Sequence, residues 1–193
     1  MIKVIVLSHY LFDERMKEMG LDDKNVEDTN MAFISIIGTN ECIKYWIQED
    51  DEHYFKENHP NVLNLDFDDI SDVVIYNGHR FRGMNLEEAE KTVNFIEEYL
   101  NNGTVDTIYI HCKAGMSRSR AIGEFIYRYC KENDIELEYS DREYYTTIFN
   151  QGVMNRLNHA YWKKHRLMRY EEEDLEYPDY LVNPNVRIIN RDE

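Results

Sequence analysis

The amino-acid sequence predicts an α/β fold in which a central, mostly parallel sheet is flanked by helices. Short apolar runs of strand length recur along the chain and are separated by longer polar or amphipathic stretches. Such runs are typical of strands that are buried on both faces, as in parallel sheets. The predicted strands are Ile2–Leu7, Met31–Ile37, Val62–Phe67 and Val105–His111.

A helix is predicted between the third and fourth of these strands. Asn85 followed by Glu88 resembles a capping box, which satisfies free amides at a helix start. Gly103 stands where a left-handed residue would end the helix. The strand–helix–strand order supports a parallel sheet, because parallel strands need such a crossover. The apolar residues at helical spacing are Leu86, Ala89, Val93, Ile96 and Leu100.

The fourth strand leads directly into a second predicted helix. The run "TVDTIYIH" alternates like a strand, and "SRAIGEFIYRYC" has helical spacing. Between them lies the turn "HCKAGMSRS", residues His111 to Ser119, which combines a cysteine, a glycine and an arginine. This combination makes the turn the first candidate for a functional site.

The last part of the chain divides into a helical segment and an acidic segment. Residues Ser140 to Arg169 show helical spacing, with a predicted break near Asn150 and Gly152. The following stretch "EEEDLEYPDYLVNPN" is acidic and contains two prolines, a composition typical of a surface or loose segment. We expect a single α/β domain over residues 1–169, followed by an acidic tail over residues 170–193.

Composition argues against several classes of partner and compartment. The formal net charge of −16 argues against nucleic acid, because a phosphate backbone repels such a surface. Three cysteines are too few and too odd in number for a disulfide framework, and none has zinc-ligand spacing. The N-terminal apolar run is too short for a signal peptide or a membrane span. We therefore expect a reduced, cytoplasmic protein.

The turn after the fourth strand has the features of an anion site. Backbone amides and the positive end of the following helix point into a strand–turn–helix joint. Gly115 permits a tight path and the close approach of an anion, and the planar fork of Arg118 matches two phosphate oxygens. The nucleotide-binding pattern GxxxxGK[ST] is absent from the turn. We therefore expect a phosphate-binding loop of another kind between the strand and the helix.

Cys112 lies at the centre of this positive cradle. A free thiol has a pKa of about 8.5, which a helix N-terminus and a nearby cation lower to about 3.5–7.5. Cys112 would then be a thiolate at neutral pH that attacks phosphorus and forms a phosphocysteine. Ser119 is placed to donate a hydrogen bond to the sulfur, and His111 is expected to support the turn. A structural cysteine in an ordinary turn is the alternative.

The motif "HCKAGMSRS" resembles the signature of the cysteine-dependent protein phosphatases, in particular the small dual-specificity group. The resemblance extends from about Val62 to Leu157. It implies that Cys112 is the nucleophile, that Arg118 binds phosphate and that the intervening backbone amides complete the cradle. It also implies that no metal or other cofactor takes part. The cradle amides belong to Lys113, Ala114, Gly115, Met116 and Ser117.

The same resemblance implies an aspartate that protonates the leaving oxygen, on the loop after the preceding strand. The strand end and the loop read "DFDDISD", with Asp66, Asp68, Asp69 and Asp72 as candidates. Asp66 is expected to lie in the strand. Several family members read aromatic–acidic–Asp at this point, so Asp69 is the expected acid and Asp68 the second choice. A solvated acidic turn without a catalytic role is the alternative.

Two further segments each keep two interpretations. The gap between Asp69 and Cys112 is longer than is usual in the family, and the surplus is "VVIYNGHRFRG", Val73 to Gly83. It is either a flap whose arginines hold an acidic substrate or an exposed hairpin. The segment "FNQGVMNRL" resembles the family's Asn-x-Gly-apolar segment at the start of a late helix. Asn150 therefore either braces the cradle or only caps a helix.

The resemblance implies a phosphatase that hydrolyses phosphomonoesters on a phosphoprotein substrate, at phosphotyrosine and also at phosphoserine or phosphothreonine. A phosphoinositide phosphatase is one alternative, although lipid phosphatases tend to place a basic residue where this chain has Met116. A phospho-residue binding module without turnover is another. A missing cysteine, arginine or acid would mark such a module, and all of them are available in this sequence.

Overall fold

The computed structural model describes residues 1–39, 52–71, 73–76, 79–139, 149–165 and 187–189. The strands are β1 Ile2–Ser8, β2 Met31–Ile37, β3 Val62–Asp66, β4 Val73–Tyr76, β5 His79–Arg82, β6 Thr107–Cys112, β7 Leu137–Tyr139 and β8 Arg187–Ile189. The helices are α1 His9–Glu18, α2 Leu86–Asn102, α3 Arg118–Glu132 and α4 Gln151–Lys164, with a short 3-10 helix at Val26–Asp28. Within these ranges no helix is long and apolar enough to cross a membrane.

Some of the sequence predictions fall outside the described residues. They concern Cys42, the candidate acid Asp72, residues 140–148 of the predicted helical segment and most of the acidic tail. Of the predicted helical segment the structure describes residues 149–165, in which α4 begins directly after Asn150.

The central sheet confirms the predicted α/β fold class. Its five strands lie in the order β3-β2-β6-β1-β7, and every neighbouring pair is parallel. All four strands predicted from the apolar runs belong to this sheet. The fifth, β7, is not predicted, because three residues at a sheet edge carry too short a pattern.

The two faces of the sheet bury separate apolar clusters. Because side chains alternate along a strand, Ile34 and Ile36 of β2 join a cluster with α2, α3 and α4, whereas Phe33 joins the other. The second cluster brings Phe33 together with Phe12 of α1 and with Phe55, which precedes β3. Burial on both faces explains why the strands read as nearly continuous apolar runs.

The ends of α2 confirm the sequence prediction. Asn85 accepts a hydrogen bond from the Glu88 amide, and the Glu88 carboxylate accepts one from the Asn85 amide, which completes the capping box. Gly103 ends the helix with a left-handed φ of 61°. The helix therefore begins and ends where local residue chemistry dictates.

Helix α1, which follows β1 directly, is not predicted from the sequence. The Ser8 hydroxyl accepts a hydrogen bond from the Leu11 amide and caps the helix. Phe12 and Met16, one helical turn apart, are fully buried, and most of the remaining residues are polar. Two buried apolar positions are a weak periodic signal, so this helix depends on packing against the sheet.

The segment from Val73 to Gly83 contains a hairpin, a conformation that is compatible with either predicted interpretation. Strands β4 and β5 pair antiparallel, with Val73 opposite Arg82. Strand β8 pairs parallel to β4, so three residues of the predicted tail belong to this small second sheet. The hairpin therefore has its own strand pairing and is not an extension of the central sheet.

Residues 52–61 lie over the α1 face of the sheet and are anchored by His59. The His59 side chain is 5% exposed and contacts Glu27 at 2.7 Å and Asp23 at 2.9 Å. Hydrogen bonds to Glu27 and Asp23 raise the pKa of His59 against the opposing effect of burial. Phe55, in the same segment, is buried in the second cluster, so the segment is held by charge and by packing.

The raised pKa of His59 predicts a pH-dependent stability. A group with a higher pKa in the folded state stabilises fully below its unfolded pKa, about 6.5, and this contribution is lost as the pH rises through the folded value. The free energy of unfolding of the wild type should therefore fall relative to that of His59→Gln as the pH rises from about 6.5. Urea denaturation over this range measures the difference, and parallel pH curves for the two proteins would contradict it.

Candidate functional site

The candidate site lies at the carboxyl ends of the parallel strands, where β6 turns into α3. Loops at this edge of an α/β sheet are the usual location of ligand sites. Gly115 has a left-handed φ of 69°, and an added Cβ would lie 2.6 Å from the Leu7 carbonyl carbon. The His9 amide donates a hydrogen bond to the Lys113 carbonyl at 3.3 Å. The turn is therefore held closely against the end of β1 and the start of α1.

Cys112 lies at the base of this turn and is buried. Its Sγ is 3.1 Å from the Ser119 Oγ. Burial acts to raise the pKa of the thiol, but hydrogen bonds from the Ser119 hydroxyl and amide, the charge of Arg118 and the Ser117 amide outweigh it. The pKa of Cys112 therefore lies below its ordinary value, which favours the nucleophilic thiolate.

Arg118 is held in place by the ends of two strands. Its Nη1 donates to the Ile37 carbonyl at 3.1 Å and to the Phe67 carbonyl at 2.7 Å. The residue is 6% exposed, and its buried Nε has no hydrogen-bond partner within the described ranges. A buried guanidinium N–H without an acceptor is costly, so this part of Arg118 is suited to an anion.

The first turn of α3 has no side-chain cap, because the Ser117 hydroxyl bonds to Asp69 instead. The amides of Ser117 and Ser119 donate to the Cys112 sulfur. The positive end of the helix is thus directed at the sulfur rather than neutralised by a cap. Of the predicted cradle residues Gly115 is buried, and the exposed ones are Lys113, Ala114 and Met116.

Asp69, the expected acid, reaches the turn from the loop after β3. Its Oδ1 accepts hydrogen bonds from the Ser117 Oγ at 2.7 Å and from the Asn150 Nδ2 at 2.8 Å. Asp69 is exposed, and no residue in the described part of the chain donates to its Oδ2. One oxygen therefore orients the carboxyl group, and the other is open to proton exchange.

Asp68, the second choice, has a different environment. It is 3% exposed, and its carboxylate accepts hydrogen bonds from the Thr39 amide and hydroxyl and from the Arg82 amide. These bonds occupy both oxygens and join three separate segments of the chain. Asp69 is therefore the aspartate of this pair whose carboxylate is accessible to solvent. Asp66 is the last residue of β3, as expected.

Asn150 caps α4 and also contacts the acidic loop and the cysteine turn. Its Oδ1 accepts a hydrogen bond from the Val153 amide at 3.0 Å, and its Nδ2 donates to Asp69. Its backbone amide donates to the Ser117 carbonyl at 3.2 Å. The start of α4 is therefore joined to both the acidic loop and the turn.

The two arginines of the hairpin differ in their surroundings. Arg82 forms a bidentate pair with Glu88 at 2.8 and 2.9 Å, and its Nη2 donates to the Asp66 carbonyl at 2.6 Å. Its guanidinium therefore fastens the base of the hairpin to α2 and to β3. Arg80 is exposed. Of the predicted substrate-holding arginines, Arg80 is the one whose side chain faces solvent.

His111, the expected supporting residue, is fully buried on the α1 face of the sheet. Its ring centroid lies 4.2 Å from that of Phe12, and its Nε2 lies 2.7 Å from the Ser35 Oγ. Burial, followed by nearby positive groups, lowers the pKa of His111 well below its ordinary range. The ring is therefore neutral at neutral pH and supports the turn through packing and one hydrogen bond.

Polar residues that contact the predicted site residues are missed by the sequence analysis. Thr39 binds Asp68, Ser35 binds His111 and His53 binds Ser35. The signal that was available is Ser35, a polar residue inside the apolar strand "MAFISII". A hydroxyl buried in such a strand requires a hydrogen-bond partner, but the sequence does not say which one.

Comparisons with known proteins add little to this description. No protein-family model matches the chain, and no curated protein is significantly similar to it. Among solved structures, the chain is similar to the crystal structure of human tyrosine phosphatase-like serine/threonine/tyrosine-interacting protein. The identity is 21%, the TM-score is 0.38, and the match covers 72% of this chain and 80% of that chain. A likeness this distant carries no functional inference for this chain.

Gly115→Ala should weaken both the fold and anion binding at the turn, because the methyl group would meet the Leu7 carbonyl at a left-handed φ. Gly20→Ala is the matched control, since Gly20 has a φ of 66° and nothing within 4 Å of an added Cβ. We expect the control to lose about 1 kcal/mol of stability and keep phosphate binding. Gly115→Ala should lose more and bind inorganic phosphate at least about tenfold more weakly.

Urea denaturation and isothermal titration calorimetry measure the two quantities. Equal losses of stability and equal phosphate affinities in the two variants would show that the close contact at Gly115 does not shape the turn.

Proposed function

We propose that this protein is a phosphatase that hydrolyses phosphomonoesters on protein through a phosphocysteine intermediate. The observation that carries the proposal is the position of the buried Cys112 Sγ at the start of α3, 3.1 Å from the Ser119 Oγ, where Ser119 and the charge of Arg118 lower the pKa of the thiol. Burial alone raises the pKa of a thiol, as it does for Cys130, to about 11. The opposite direction at Cys112 supports a nucleophilic role, for which a reducing compartment such as the cytoplasm is suited.

In the first step, the Cys112 thiolate attacks phosphorus, so that an S–P bond forms as the P–O bond of the ester breaks. The guanidinium of Arg118 and the loop amides stabilise the charge on the phosphoryl oxygens. Asp69, in its protonated form, gives its proton to the leaving oxygen. The dephosphorylated hydroxyl then departs, and the phosphoryl group remains on the sulfur.

In the second step, water attacks the phosphorus of the phosphocysteine. The Asp69 carboxylate takes a proton from this water as the S–P bond breaks and inorganic phosphate is released. The Ser119 hydroxyl donates a hydrogen bond to the sulfur, which makes the thiolate a better leaving group. Ser117 and Asn150 hold Asp69 in one orientation for both proton transfers.

A phosphoprotein is the substrate class that the surface supports best. The net charge of −16 disfavours RNA and highly anionic ligands in general, because a negative surface repels them. Met116 is 44% exposed and apolar at the position where lipid phosphatases tend to carry a basic residue. This supports a phosphopeptide over a phosphoinositide, with phosphotyrosine and phosphoserine or phosphothreonine both included.

Replacement of the nucleophile tests the proposal directly. Cys112→Ser should lower turnover of p-nitrophenyl phosphate by at least about 10³-fold, because the hydroxyl is not ionised. It should still bind inorganic phosphate, since Arg118 and the loop amides remain. Wild-type turnover of a phosphotyrosine peptide should exceed that of a soluble phosphoinositide. Activity near wild type in Cys112→Ser would exclude the covalent mechanism, and binding without turnover in the wild type would identify a phospho-residue binding module.

A leaving-group series tests the assignment of the acid. Asp69→Asn should lower turnover by about 10²–10⁴-fold on phenyl phosphate, which needs a proton, and much less on p-nitrophenyl phosphate. Asp68→Asn is the matched control, because it removes a neighbouring carboxylate whose bonds to Thr39 and Arg82 are structural. It should lower stability and affect both substrates equally. A leaving-group dependence that appears in Asp68→Asn instead would reverse the assignment.

A further inference from the structure

A chain of hydrogen bonds leads from the residue before the nucleophile to the protein surface. The His111 Nε2 is 2.7 Å from the Ser35 Oγ, which is 2.7 Å from the His53 Nδ1. The His53 Nε2 is in turn 3.0 Å from the Asp66 Oδ1. We name these residues the histidine chain. None of them takes part in the steps proposed for catalysis.

The inner half of the histidine chain, Ser35 and His111, is buried within the central sheet. Ser35 of β2 lies opposite His111 of β6 in the parallel register, and both are buried, at 1% and 0% exposure. Asp66 ends the neighbouring strand β3. His53 belongs to the segment 52–61, which His59 anchors to the rest of the fold. The histidine chain therefore joins that segment to β2, β3 and β6.

Asp66, at the outer end of the histidine chain, determines the direction of the hydrogen bonds along it. An ionised carboxylate only accepts, and the His53 hydrogen bond lowers the pKa of Asp66, so Asp66 is ionised at neutral pH. The Nε2 of His53 therefore carries a proton; when the ring is neutral this is its one N–H, and its Nδ1 accepts from the Ser35 hydroxyl. The oxygen of Ser35, having donated its hydrogen, accepts from the Nε2–H of His111.

Two observations at His111 agree with this direction. Burial, followed by the nearby groups His9, His53 and Arg118, lowers the pKa of His111 well below its ordinary range. The ring is therefore neutral and carries one proton, on either Nδ1 or Nε2. Its Nδ1 is buried and has no hydrogen-bond partner in the described part of the chain. A buried N–H without an acceptor is a rare and costly arrangement, so the proton belongs on Nε2.

We propose that the histidine chain holds His111 in the Nε2–H tautomer and in one ring orientation, and that Ser35 and His53 are thereby positioning residues for Cys112. His111 and Cys112 are consecutive residues of β6, so a displacement of the His111 side chain is passed through the shared backbone to the sulfur and changes its position relative to Ser119 and the loop amides. The ring packs between Phe12 and His9, at 4.2 and 5.1 Å between centroids, which leaves the hydrogen bond to Ser35 to select its orientation.

The consequence for turnover rests on the proposed function, but the tautomer and the thiol reactivity do not. Nitrogen-15 NMR of the imidazole rings should show His111 as the neutral Nε2–H tautomer in the wild type, with its signals assigned by their loss in His111→Gln. Ser35→Ala should remove this preference, and Ser35→Thr, which keeps the hydroxyl, should restore it. A His111 ring that is Nδ1–H or doubly protonated in the wild type at neutral pH would overturn the inference.

Thiol reactivity and kinetics separate a positioning role from a merely structural one. Ser35→Ala should slow alkylation of Cys112 near neutral pH and lower kcat by about ten- to a hundredfold with little change in KM, and Ser35→Thr should recover both. Unchanged alkylation in Ser35→Ala would contradict the positioning role. If Ser35→Ala does not fold, His53→Ala, at the outer half of the chain, is measured in the same way. A wild type without turnover would contradict the proposed function, while the tautomer and the alkylation rate would still decide this inference.

Discussion

The guanidinium of Arg118 connects the candidate site to the sheet. By donating to the carbonyls of Ile37 and Phe67, it joins the ends of β2 and β3 to the first turn of α3. Nη1 makes these bonds, whereas the buried Nε has no acceptor in the described residues. The positive charge of the guanidinium lowers the pKa of Cys112. The group that fastens the strand ends therefore also helps to lower the pKa of the Cys112 thiol.

Asp68 and Asp69, which are neighbours in the loop after β3, differ in burial and therefore in what their carboxylates can do. Asp68 is enclosed and uses both oxygens to join Thr39 and Arg82, so its carboxylate holds the loop in place. Asp69 is exposed and is oriented from one oxygen by Ser117. A fixed backbone at one position and an accessible carboxyl group at the next is an arrangement suited to a proton donor.

Much of the fold and the centre of the site could be predicted from the sequence, because they depend on local patterns. Apolar runs of strand length identify four of the five strands of the central sheet, and the pair Asn85 and Glu88 marks the start of α2. The spacing of Cys112 and Arg118 between a strand and a helix indicates an anion site, since a helix start and a cation act over short distances along the chain. Helix α1 is not predicted in this way, because only two of its apolar residues, Phe12 and Met16, are fully buried.

The partners of the site residues were decided only by the tertiary structure. In the sequence only the family resemblance separates Asp69 from Asp68, whereas in the structure Thr39 and the hairpin contact Asp68 and the cysteine turn contacts Asp69. Likewise, Ser35 could be recognised as a polar residue in an apolar strand, but the order of the strands places it beside His111. The sequence by itself determined four strands of the central sheet, both ends of α2 and the turn that is predicted to bind an anion. Strand order and segment packing determined which carboxylate is exposed and which imidazole nitrogen of His111 has a hydrogen-bond partner, because hydrogen bonds between distant segments leave no local pattern.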